Sequence, residues 1–268
     1  MVSLRTCALQ RNYTKKVSPG DAMSNFSNIG FDFSSLDELK RALASASDRI
    51  VAAPDNFYLT YADPSGAELW LQLNEEQRIV GFNPHFSGAS RRPVSLTHPV
   101  FEDSETNLDG FFYAWALNSQ DTPGDTDGLY PFVFSVPDFN SIEPFEFPRT
   151  VEIQLSAFAH ALAIFKNEEE YHNHPDSKVA SQAFIPSGLF SPDGETTNPP
   201  SPEGVFTGIV RDWAKKRNEL TQADFYWLLV DTYGGSVDVV AEPSFFAAEP
   251  EINGVVKGHF WLSGRLHI

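Results

Sequence analysis

Between Gly204 and Leu266 short apolar runs alternate with turn-forming residues, and this spacing limits what the chain can become. FTGIVRDWA, FYWLLVDT, SVDVVAEP and GHFWLSGRL are rich in β-branched and aromatic residues. KKRNELTQ, Tyr233-Gly234-Gly235 and EPEINGVVKG separate them. Runs of this make-up, bounded by Gly, Asn and Pro, predict strands joined by tight connections. A small closed β structure is expected here. The 17 glycines and 19 prolines of the 268 residues are scattered, not periodic, which favours turns and short strands over long helices throughout.

Upstream, one helix is clear. In SSLDELKRALASASDRIV, Ser35 followed by Glu38 fits a capping box, and Asp37 and Glu38 suit the positive end of the helix dipole. Leu36, Leu39, Leu43 and Ala46 form one apolar stripe, with Lys40 and Arg41 facing away. FYLTYAD, AELWLQLN and RIVGFNPHF then predict an antiparallel meander with Asp63-Pro64-Ser65-Gly66 as a type I turn. Its alternation sets Leu69, Leu71 and Leu73 on a buried face against Glu68, Trp70 and Gln72. VSLTHPVF, GFFYAWAL and YPFVFSV are further strands. The acidic segment Asp121–Gly128 fails the spacing of an EF-hand loop and reads as a solvated hairpin connection. TVEIQLSAFAHALAIF alternates with period two at Val151, Ile153 and Leu155, yet is equally compatible with helix from Ser156 onward. Asn167 before Glu168, Glu169 and Glu170 caps a short helix ended by Pro175.

The expected class is α+β, mostly β: an acidic antiparallel domain with one or two packed helices over residues 23–200, and a C-terminal small barrel over 201–268. FIPSGLFSPDGETTNPPSPEG marks the boundary. Residues 1–22 read as a flexible extension; their apolar run is too interrupted for a secretory leader. No window of 18 consecutive apolar residues occurs, so no membrane span is expected. The lone Cys7 excludes an intramolecular disulfide and suits a reducing, cytoplasmic setting. A hydrophobic content of 41% argues for a globular fold. The net charge of −17 falls mostly on residues 23–202. That region would repel a phosphate backbone, which disfavours nucleic acid as a partner.

The tail resembles the oligonucleotide- and oligosaccharide-binding (OB) fold. The resemblance lies in the FTGIV opening strand, the Gly234-Gly235 hairpin, and a closing strand of the type G-x-x-x-G-x-[FVW]-x-L-x-G-R, met by Gly254, Gly258, Phe260, Leu262, Gly264 and Arg265. It departs from that family in having no helix before its last long strand. The resemblance implies a five-stranded barrel. If Phe260, Leu262 and Leu266 face inward, His259, Trp261, Ser263, Arg265 and His267 face outward. With Trp213 and the basic loop Lys215-Lys216-Arg217 nearby, they would make an aromatic and cationic ligand platform, as OB folds use for single strands. The competing reading has Trp261 covering the join to the acidic domain.

Other chemistry is sparse. G-x-S-x-G, G-x-x-x-x-G-K-[ST] and G-x-G-x-x-G are all absent, so no catalytic residue and no cofactor is assigned. EEEYHNHPD offers His172 and His174 as the best local metal ligands, although i and i+2 diverge on a helix. His85 and His98 stand alone in loops, and His160 reads as a packed or hydrogen-bonded residue. The reading reached is a non-enzymatic binding or interaction protein whose partner is a protein or small polar ligand. The alternatives are single-stranded nucleic-acid binding through the barrel, and a metal-assisted hydrolase.

Overall fold

The computed structural model describes residues 25–33, 35–53, 57–101, 108–118, 128–175, 177–189 and 200–267. The N-terminal extension with Cys7, nearly all of the acidic Asp121–Gly128 segment, and most of the proline-rich boundary segment lie outside these residues.

Helix α1, Leu36–Ser45, starts where expected: Ser35 Oγ accepts from Glu38 N at 3.2 Å. Leu39, Leu43 and Ala46 are buried, joining Ile29, Phe31 and Phe33 in a core shared with the first sheet. Because the cap is a single exposed side-chain bond, Ser35→Ala should cost about 1 kcal/mol of unfolding free energy. Urea titration of the variant against wild type measures this.

The meander forms as an antiparallel sheet in the order β1-β2-β3-β4: β1 Ile50–Ala52, β2 Tyr58–Ala62, β3 Ala67–Leu73 and β4 Ile79–Phe86. Alternation along β3 predicts one buried face, but all seven residues are buried. The polar face is covered from elsewhere in the chain. Trp70 packs with Tyr58 and Leu108, and Gln72 Nε2 donates to Asp109 at 2.7 Å. Trp70 Nε1 donates to Glu68, and the Arg265 guanidinium lies 5.0 Å from the Trp70 ring centre. Burial pushes the Glu68 carboxyl pKa up, with the Arg265 charge opposing it.

The remaining strands make a mixed nine-stranded sheet: β5 Arg92–Phe101, β6 Gly110–Ala116, β7 Tyr130–Ser135, β8 Arg149–Phe165, β9 Ala183–Ile185, β10 Glu203–Arg217, β11 Asp224–Thr232, β12 Gly235–Ala241 and β13 Val255–His267. Their order is β11-β12-β8-β5-β6-β7-β13-β10-β9, with further pairings β11–β10 and β8–β13. The helix-or-strand ambiguity after Ser156 resolves as strand, because β8 is gripped along most of its length by β13. Short helix α2, Glu168–Asn173, follows, and Asn167 Oδ1 caps it by accepting from Glu170 N at 2.8 Å.

The expected OB-like barrel is not formed. The four strands of the tail do not close on one another: β12 pairs in parallel with β8, and β13 pairs with β8 and touches β7. Residues of the middle region complete the pairing that a self-contained barrel would have to supply, so a correct strand pattern led to the wrong partners. The core confirms the mixing, since Leu155 and Ala157 of β8 share one cluster with Val237, Val256 and Leu262 of the tail. The Gly-Gly turn is as expected, with Gly234 and Gly235 at φ +88° and +127°, where a side chain would be strained. No helix among the described residues is long and apolar enough to cross a membrane.

Candidate functional site

Strand β13 lies between β8 and β10 at its N-terminal half, and the registers decide which side chains meet. His259 is opposite Val205 on β10 and Ala161 on β8. Residues directly opposed share a face, as do residues two apart along a strand, so Glu203 projects on the same face as His259. On β8 the register skips a residue: His259 faces Ala161 and Phe260 faces Ala159, which places His160 at a bulge. A bulge re-aims its side chain out of the regular alternation. His160 therefore meets its neighbour edge to face, with ring centres 5.5 Å apart and planes at 84°.

Three strands thus bring His160, Glu203 and His259 together, all partly exposed, with one ligand-type atom of each lying within 4.8 Å of the others. His259 Nε2 is 3.3 Å from Glu203 Oε2. Zinc–nitrogen and zinc–oxygen bonds of roughly 2.0–2.2 Å place two ligands of a tetrahedral ion about 3.3–3.5 Å apart, so this pair is already at coordination spacing. Two imidazoles and one carboxylate can hold such an ion and leave a fourth position for water. His160 Nε2 is hydrogen-bonded to Asn25 Oδ1 at 2.8 Å. Asn25 belongs to a turn fixed by the fully buried Asn28, whose Nδ2 donates to Ala159 O at 2.9 Å and whose Oδ1 accepts from Glu242 N.

No protein-family model, curated protein or solved structure matches this chain. The site must be judged on its own geometry.

Residues singled out from sequence are dispersed by the fold. Lys215 Nζ and Arg217 Nε both engage Asp224, at 3.0 and 2.6 Å, and their hydrogen bonds hold the Asp224 pKa down to about 2. Lys216 projects from the opposite face of β10, 5.7 and 5.4 Å from the ring centres of Phe86 and Trp227. Trp213 packs with Tyr226 against the large core. Trp261 sits edge-on to Phe158, partly buried against the core that includes α1 and the first sheet. Arg265 reaches Asp138 and Glu68 at 3.4 and 3.8 Å. Only His259 of this set joins the three-ligand group. His172 and His174 lie exposed at the end of α2 and join no group of three ligand atoms among the described residues.

Sequence reasoning missed Glu203 entirely and read His160 as packed or hydrogen-bonded, which its bond to Asn25 matches, but not as a ligand. The available signal was weak: an outward histidine on a strand, and a second histidine within a run of small apolar residues.

Two other features stand out. His85, which the sequence placed at the end of the RIVGFNPHF strand though it was also read as isolated in a loop, lies in β4 with no solvent exposure, its Nδ1 2.8 Å from Ser263 Oγ. Its Nε2 meets no hydrogen-bond partner among the described residues. Burial, and secondarily the Arg265 charge, push its pKa down to about 3, with Gln154 acting the other way. Separately, Arg49, Tyr61, Arg217, Glu219 and Gln222 line an open groove of about 760 Å³ beside the end of α1. Arg49 and Glu219 pair across it at 2.8 Å, while burial and the Asp63 hydrogen bond lift the Tyr61 pKa to about 12.

Proposed function

We propose that this protein binds a divalent transition metal, zinc by the character of its ligands, at His160, Glu203 and His259, and acts as a metal-assisted hydrolase. The observation that carries this reading is the convergence of two imidazoles and a carboxylate from three strands. A bound zinc ion would lower the pKa of its water toward neutrality and polarise a carbonyl or phosphoryl oxygen. Glu203 contributes the one negative charge of the set and offsets part of the ion's charge. Partial exposure of all three residues leaves the open coordination side accessible to substrate.

Metal analysis of the full-length protein, followed by zinc titration, tests the first half of the reading. One zinc per chain is expected, and protein that takes up no zinc on titration removes the proposal. A panel of chromogenic carboxyl and phosphate esters tests the second half. Turnover that chelator abolishes and zinc restores is expected; zinc binding without turnover on any ester overturns the hydrolytic assignment.

A second reading, binding of a small polar ligand, is favoured by the groove beside α1, because Arg217 lines it together with Arg49 and Glu219. A ligand held there should raise the melting temperature of wild type but not of Arg49→Ala/Arg217→Ala. Equal shifts in both proteins would place the ligand elsewhere.

A further inference from the structure

We propose that Asn25 is a positioning residue of the metal centre, holding the His160 imidazole in the tautomer that offers Nδ1 to the ion. This inference rests on the zinc reading above. A carboxamide oxygen carries lone pairs and no proton, so an Asn25 Oδ1 to His160 Nε2 bond of 2.8 Å requires the hydrogen to be on Nε2. A neutral imidazole has one N–H, and the ligating lone pair then belongs to Nδ1. Metal-bound histidines characteristically give their other N–H to a carbonyl or carboxylate oxygen, which fixes the ring and raises its basicity.

As a bulge residue His160 falls between two register positions of the β8–β13 ladder, so the regular alternation does not set its ring direction. The turn carrying Asn25 is itself immobilised: Asn28 grips the carbonyl of Ala159, the residue immediately before His160, and Ser27 Oγ donates to Glu242. One turn therefore holds both the backbone entering the bulge and the ring leaving it.

The experiment is zinc titration of full-length wild type, Asn25→Ala and Asn25→Asp against a competing chelator dye, with metal-free melting temperatures measured in parallel. Asn25→Ala is expected to weaken zinc binding roughly 10- to 100-fold. Asn25→Asp keeps an acceptor where Oδ1 lies and should bind at least as tightly as wild type. That rescue separates ring positioning from general damage to the turn, which both substitutions would share. Wild-type affinity in Asn25→Ala overturns the inference while leaving the metal centre standing. Affinity in Asn25→Asp as weak as in Asn25→Ala also overturns it, because the acceptor oxygen would then not matter. If wild type itself takes no zinc, the centre and the role of Asn25 fall together.

Discussion

Replacement of His259 by alanine should weaken zinc binding by a factor of 100 or more. Structural zinc sites with four protein ligands bind with about 10–16 kcal/mol, or roughly 3 kcal/mol per ligand, and 3 kcal/mol corresponds to about two powers of ten in affinity. His259 is the ligand whose loss should matter most, since it is the central member: its Nε2 is 3.3 Å from Glu203, and its ring meets that of His160. Glu203→Gln, which preserves shape and removes charge, should weaken binding in the same direction. The informative control is His172→Ala/His174→Ala, altering the histidines that the sequence offered as the best local metal ligands. Titration calorimetry on the full-length proteins should find this control equal to wild type. Should the control lose zinc while His259→Ala retains it, the metal belongs at the end of α2 and the three-strand centre is wrong.

The second large effect is acid sensitivity from His85. In the folded protein its pKa is about 3, against about 6.5 in the unfolded chain. The depressed value means that folding favours the neutral ring. Its stabilising contribution is complete above pH 6.5, falls as the unfolded state takes up a proton below that pH, and is exhausted near pH 3. Full displacement is worth on the order of 5 kcal/mol, and the part lost between pH 6.5 and 4 about 3 kcal/mol. The geometry explains the penalty. The ring is sealed between the sheets with Ser263 on Nδ1, and protonation would make both ring nitrogens donors, with no hydrogen-bond partner for Nε2 among the described residues. Urea unfolding at pH 7 and pH 4 should show wild type losing several kcal/mol more than His85→Asn, which keeps a hydrogen-bonding atom near the Nδ1 position. Parallel pH profiles would contradict the assignment. In wild type alone, the His85 imidazole should remain neutral at pH 5 by NMR, independently of whether the variant folds.

Local features were legible because their causes are local. The Ser35 cap, the Leu39–Leu43 stripe, the three-stranded core of the meander and the glycine turn at 234–235 each depend on residues a few positions apart. The inward set Phe260, Leu262 and, partly buried, Leu266 was equally readable, since period-two alternation needs no knowledge of the partner strand. The outward set was identified as well, with two readings for what it faces, the join to the acidic region or a ligand platform; the first sheet and its flanking segments cover Trp261, Ser263 and Arg265, as the first of these has it for Trp261.

The metal-type centre was illegible for a related reason. His160, Glu203 and His259 are far apart in sequence, and their meeting depends on two strand registers and one bulge. None of these leaves a spacing motif, unlike a helical pair of ligands at i and i+4. By itself, then, the sequence determined a mostly β chain, its strands and turns, and which side of each strand is apolar, because backbone sterics and side-chain periodicity act over a few residues. Only the tertiary structure decided that β8 completes the tail's sheet and that His160 bulges beside His259. Strand pairing is set by burial across the whole chain, and a strand's edge bonds carry no record of which neighbour will take them.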